Sequence, residues 1–160
     1  MSGEQSLIPQ YYPDDFQVLT LSYPGAAVHD PTALLYADRD LIIDEIVVGV
    51  HTAGSTSYAF NFRVSPDCTS TSAASMCTIN IDTANVSAGD TLVATTDGVI
   101  RFNSSGVAQT TATGSVAINA VSAGVQTNTI DRGSWLVIDP SGTVGSGRGI
   151  IQIRFRSRPK

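Results

Sequence analysis

At 160 residues the chain has the size of a single domain, large enough to bury a core without metal or a disulfide cage. Charged residues make up only 14% against 42% hydrophobic, which excludes a disordered chain, and two Glu with one Lys exclude a helical or coiled-coil protein. The net charge of -5 has the wrong sign for a protein that lives on nucleic-acid phosphates or an anionic bilayer.

Met1 to Gln10 carries neither the basic start nor the apolar run of a secretory signal, so folding in a cytoplasm is expected. The longest apolar stretch, Leu41 to Val50, is broken by Asp44 and Glu45 and is too short to span a bilayer as a helix. Residues 1–32 hold Pro9, Pro13, Pro24 and Pro31, with one plausible strand, Phe16 to Ser22, among them. Proline interrupts both ladders, so this region reads as an extended arm that packs along the domain or a neighbouring subunit, or else as a disordered terminus. Tyr11, Tyr12 and Phe16 are its candidate aromatic anchors.

Residues 33–160 read as one all-β sandwich domain. Short β-branched runs recur at Leu34 to Ala37, Leu41 to His51, Tyr58 to Ser65, Thr78 to Asp82, Thr91 to Thr95, Ser115 to Val121, Ser134 to Ile138 and Gly149 to Arg156. With the arm strand these predict eight or nine antiparallel strands and no helix. Alternation is cleanest at Tyr58, Phe60, Phe62 and Val64 against Ala59, Asn61, Arg63 and Ser65, a strand with one buried face. Turn residues at Ala53-Gly54-Ser55, Asp97-Gly98, Ser104-Ser105-Gly106 and Pro140-Ser141-Gly142 separate the runs. A shift of forty-four residues lays Asn85 to Val93 over Thr129 to Val137 and Gly98 over Gly142, which suggests two related corners of one sandwich.

Sites for chemistry are sparse. His29 and His51 stand in unrelated contexts without metal-ligand spacing, and no nucleophile elbow accompanies the many Ser and Asp residues. No catalytic residue, metal or cofactor is therefore expected. Gly142, Gly145, Gly147 and Gly149 lack the Lys-Ser/Thr of a phosphate loop and read as a flexible hairpin loop. Cys68 and Cys77 flank a Ser/Thr-rich loop whose base a disulfide could clip, and bridge and free thiols both remain open. The last strand buries Ile151, Ile153 and Phe155 and leaves Arg154, Arg156 and Arg158 on one face. That face either protects an edge or docks on an acidic protein.

Three segments taken in order carry a resemblance: Ala33 to Ser55, with Asp38-Arg39-Asp40 ahead of a strand ending in His51-Thr52-Ala53-Gly54, then Ala88-Gly89-Asp90-Thr91-Leu92, then Gly133-Ser134-Trp135-Leu136. Over residues 33–156 the chain resembles the head decoration, or capsid cement, proteins of tailed bacteriophages. The resemblance implies a jelly-roll-like sandwich and a non-enzymatic protein that binds the outside of an assembled phage shell. Its partners would be the major capsid protein and further copies of itself, usually as a homotrimer and sometimes as a dimer. It would be made in the host bacterial cytoplasm and end on the virion exterior, with no nucleic-acid or membrane partner. The alternative is a head-fibre or tail-associated adhesin that grips host glycan with Trp135, Tyr58 or Tyr36, although Trp135 in its alternating strand reads as core.

Overall fold

The computed structural model describes residues 16–23, 32–68, 75–110, 114–118, 128–142 and 146–158. Within them lie eleven strands and no helix: β1 (Gln17–Tyr23), β2 (Thr32–Tyr36), β3 (Leu41–Thr52), β4 (Tyr58–Ser65), β5 (Ser75–Ile81), β6 (Thr91–Ala94), β7 (Val99–Phe102), β8 (Ala108–Gln109), β9 (Thr129–Ile130), β10 (Trp135–Gly142) and β11 (Arg148–Ser157). They form two antiparallel sheets. One runs β1-β11-β3-β6-β7-β8 with β9 beside β3, and the other runs β2-β10-β4-β5.

Eight of these strands carry the topology. The chain passes from β1 to β2 to β3 by crossing between the sheets each time, and β10 and β11 insert between strands made long before. This interleaving of β1-β11-β3-β6 with β2-β10-β4-β5 is the jelly roll. The period-two pattern explains why: Tyr58, Phe60 and Phe62 of β4 meet Ile43, Ile46 and Val48 of β3 and Ile151 and Ile153 of β11 in one buried cluster.

Each of the eight matches an expected run, and β7, β8 and β9 are additions. Ser115 to Val121 is not a strand where it is described, since Val116 makes a single bridge to Thr78. The region read as an arm supplies β1, which pairs with β11 over seven consecutive positions from Gln17↔Phe155 to Tyr23↔Gly149. Tyr11, Tyr12 and the Pro24–Pro31 segment lie outside the described residues.

The sequence echo is a repeated corner. Gly89 and Gly133 both take φ +89, a conformation that glycine adopts without strain. Gly89 N–H donates to the Val50 carbonyl, Val50 N–H donates to the Asp90 carbonyl, and Asp90 N–H closes the turn on Ser87. Gly133, Ala37, Ser134 and Asp131 repeat all three bonds, at 2.8, 2.9 and 3.0 Å. One corner feeds β6 into the larger sheet and the other feeds β10 into the smaller. The echo stops there, because Gly142 has φ +78 and Gly98 stays outside the left-handed region.

Gly147 and Gly149 differ from the loop reading. Both are buried, and Gly149 sits in β11 against Tyr23 while Gly147 sits against the Tyr58 ring. The two tyrosine hydroxyls meet at 3.3 Å, and Tyr23 packs edge-on to Phe60 at 5.0 Å. These glycines make room for an aromatic core.

Candidate partner-binding surface

Period two sends alternate residues of each strand outward, so each sheet presents a face to its surroundings. The two faces differ. On the smaller sheet Arg63 pairs with Asp139 at 3.0 Å, Asn61 donates to the Asp139 carbonyl, and Thr78 donates to Asn61 at 2.9 Å. Those groups satisfy one another across the strands.

Among the described residues the larger sheet carries no such network at its centre. Val47 of β3, Val93 of β6 and Ile100 of β7 lie in one cross-strand row, with Ile150 of β11 and Val18 of β1 nearby. Among the described residues Phe16, Val18, Ile100 and Ile150 are four of the seven large hydrophobics left exposed, at 47%, 57%, 47% and 48%. Two shallow depressions cover this face, one of about 370 Å³ lined by Phe16, Val18, Glu45, Val47, Gln152 and Arg154. The other, about 300 Å³, shares Val47 and Gln152 and extends to Ile150.

Three of the expected contact residues meet at one corner of this face. The Arg154 guanidinium lies 4.0 Å over the Phe16 ring and that of Arg156 5.9 Å from it, a cation–π arrangement that holds the aromatic side chain at the surface. Arg156 is also bound to Asp44 at 3.1 Å. A bulge makes that pair possible: Arg154 faces Glu45 and Phe155 faces Ile43, so Asp44 is an extra residue in β3. Without the bulge strict alternation would turn Asp44 into the core. Arg158 stands apart, its backbone N–H donating to the Asp40 carbonyl at 2.9 Å in a charged end loop. There the Arg39 guanidinium, 3.0 Å away, holds the Asp38 carboxyl below the usual carboxylate range.

Other expected residues fall elsewhere. The bridge weighed for Cys68 and Cys77 is absent, and both thiols are free. Cys77 is buried in β5 with its Sγ–H donating to the Val116 carbonyl at 3.3 Å, whereas Cys68 is exposed after β4. Burial pushes the Cys77 thiol up to about 12. Trp135 is not core: it lies partly exposed beside Tyr36, ring centroids 4.9 Å apart. Tyr58 is buried and offers no platform. Among the described residues no three His, Cys, Asp or Glu side chains converge, and His51 rests at the surface against Thr52.

The sequence reading missed a part-buried ion pair, Asp90 with Arg101 at 3.4 Å, their side chains 7% and 13% exposed. Asp90 also accepts the Ser87 N–H at 3.0 Å, so the pair ties one repeated corner to β7. The Asp97-Gly98 turn signal before Val99 could have revealed β7 and with it Arg101. No protein family, curated protein or solved structure matches the chain.

Proposed function

We propose that this chain is a non-enzymatic decoration protein that binds the outer surface of an assembled phage capsid and stabilises it. The observation that supports the reading is the outer face of the larger sheet. It is broad, shallow and apolar at its centre, with the Phe16, Arg154 and Arg156 corner at its margin. Enclosed clefts suit small molecules, and exposed apolar patches with polar margins suit protein surfaces. The order of the Ala33–Ser55, Gly89 and Gly133 segments adds the phage shell as the partner. A protein that binds only assembled shells shifts them away from disassembly by mass action.

Cosedimentation with undecorated mature capsids tests this. Saturable binding is expected, weakened by Arg154→Glu and by Val18→Asp, with the capsid disruption temperature raised by the native chain. No binding by the native chain would refute the proposal. The Tyr36 and Trp135 pair favours a second reading, a glycan-binding adhesin, because two adjacent rings form a stacking platform. Quenching of Trp135 fluorescence by host-surface oligosaccharides, with no capsid binding, would decide for it.

A further inference from the structure

A β-sandwich has edges, and edges left open pair with other chains unless they are shortened, bulged, charged or covered. Three of the four outer edges here are managed in those ways. β8 has two residues, and β2 has five with a bulge at Leu34, which β10 passes over between Leu35 and Ala33. The edge of β5 is covered by the 114–118 segment, where Thr78 and Val116 exchange both backbone bonds and Asn80 N–H donates to Ser115.

β1 is the exception. It runs seven residues, Gln-Val-Leu-Thr-Leu-Ser-Tyr, without a charge, a proline or a register shift. Among the described residues its backbone pairs with β11 alone. The core is also thinly covered on this side. Of the six hydrophobics packed against it but only partly buried, Leu19 and Leu21 lie on β1 and Leu34 and Leu35 on β2. An apolar hollow of about 110 Å³ opens between those strands, lined by Leu21, Tyr23, Leu34, Phe60, Ile138 and Ile151 among others.

We infer that two copies of this chain join edge to edge through β1, pairing antiparallel about a two-fold axis at Thr20, so that the larger sheets become one continuous sheet. The occupant is a second copy because the strand complements itself. With Thr20 facing its mate, Leu19 of each copy faces Leu21 of the other on the core side, and Val18 faces Ser22 on the outer side. Among the described residues β1 itself brings no charge to the contact. Seven residues at about 3.3 Å make the shared edge roughly 23 Å long, flanked on the core side by the half-buried Leu19, Leu21, Leu34 and Leu35. The two-fold takes the dimer, the less usual of the two assemblies that the family resemblance implies, and it stands whether or not the protein binds capsids.

Sedimentation velocity of the full chain, from on the order of 1 to 500 μM, tests the pairing. A monomer–dimer equilibrium is expected. Thr20 is exposed, so Thr20→Lys and Thr20→Asp leave the fold intact, which near-UV circular dichroism checks, yet each sets like charges face to face. Either variant alone should dimerise at least about tenfold more weakly, and an equimolar mixture should recover the dimer by placing Lys opposite Asp. A native chain that sediments as a monomer or trimer throughout, variants that dimerise like the native chain, or a mixture that stays monomeric would each overturn the inference.

Discussion

Replacing Gly149 by Ala probes the aromatic core directly. A methyl group on Gly149 would run into the Gly49 carbonyl oxygen of β3 and lie 2.5 Å from Tyr23 Oη and 2.7 Å from Tyr23 Cε1. Either β11 separates from β3 or the Tyr23 ring leaves its place. Displacing the ring forfeits its hydroxyl bond to Tyr58, worth about 0.5–1.5 kcal/mol, and its edge contact with Phe60, worth a similar amount. Overpacking strain adds about 1–3 kcal/mol, so the sum is about 2–6 kcal/mol. At about 2–4 °C per kcal/mol for a chain of this length, Tm should fall by roughly 4–24 °C. Urea unfolding with an unchanged slope would show that native stability is what changed. Gly98→Ala is the control, since no atom outside its chain neighbours lies within 4 Å of its added methyl. A Gly149→Ala loss below about 1 kcal/mol would refute the packing argument.

The remaining predictions concern ionisation, thiols and the part-buried pair. Burial raises the pKa of Tyr23 and Tyr58 above 10.0 and that of Cys77 from 9.0 to about 12. The unfolded chain therefore releases these protons first, so stability is full below about pH 9 and falls as pH rises. The urea midpoint should decline above pH 9, and tyrosinate absorbance at full amplitude should appear only on unfolding; a midpoint constant to pH 11 would contradict this. One thiol, Cys68, should react with a disulfide reagent in the native state and two after denaturation, and reductant should leave Tm unchanged. No reactive thiol in denatured, unreduced protein would mean a bridge. Asp90→Asn should cost about 1–3 kcal/mol, read by urea denaturation, because the part-buried Arg101 loses its nearest counter-charge.

The sequence carried the eight jelly-roll strands because each has a buried face that imposes period two, and because Gly89 and Gly133 mark the corners that enter β6 and β10. It did not carry β8 and β9, which have two residues each and are held by neighbours rather than by their own pattern. Ser115 to Val121 looked like a strand from its β-branched residues, yet the described part covers the edge of β5 through one bridge. Trp135 alternates out of phase with Leu136 and Ile138 of the core cluster, and only its pairing with exposed Tyr36 at the start of β10 reveals that it reaches the surface. Of the surface site, the Arg154 and Phe16 pairing depends on β1 lying against β11, a contact between opposite ends of the chain that no local pattern encodes.

That contact also governs how the chain folds. Gln17 pairs with Phe155, so one edge of the larger sheet is built from nearly the first and the last described residues. Loop closure over such a separation is slow relative to local pairing, which places folding in the roughly millisecond-to-second range of all-β domains. During synthesis β1 and β3 are made long before β11 arrives to fill the place between them. A chain truncated before Arg148 would leave two apolar strands without their shared neighbour, prone to pair with other nascent copies and aggregate.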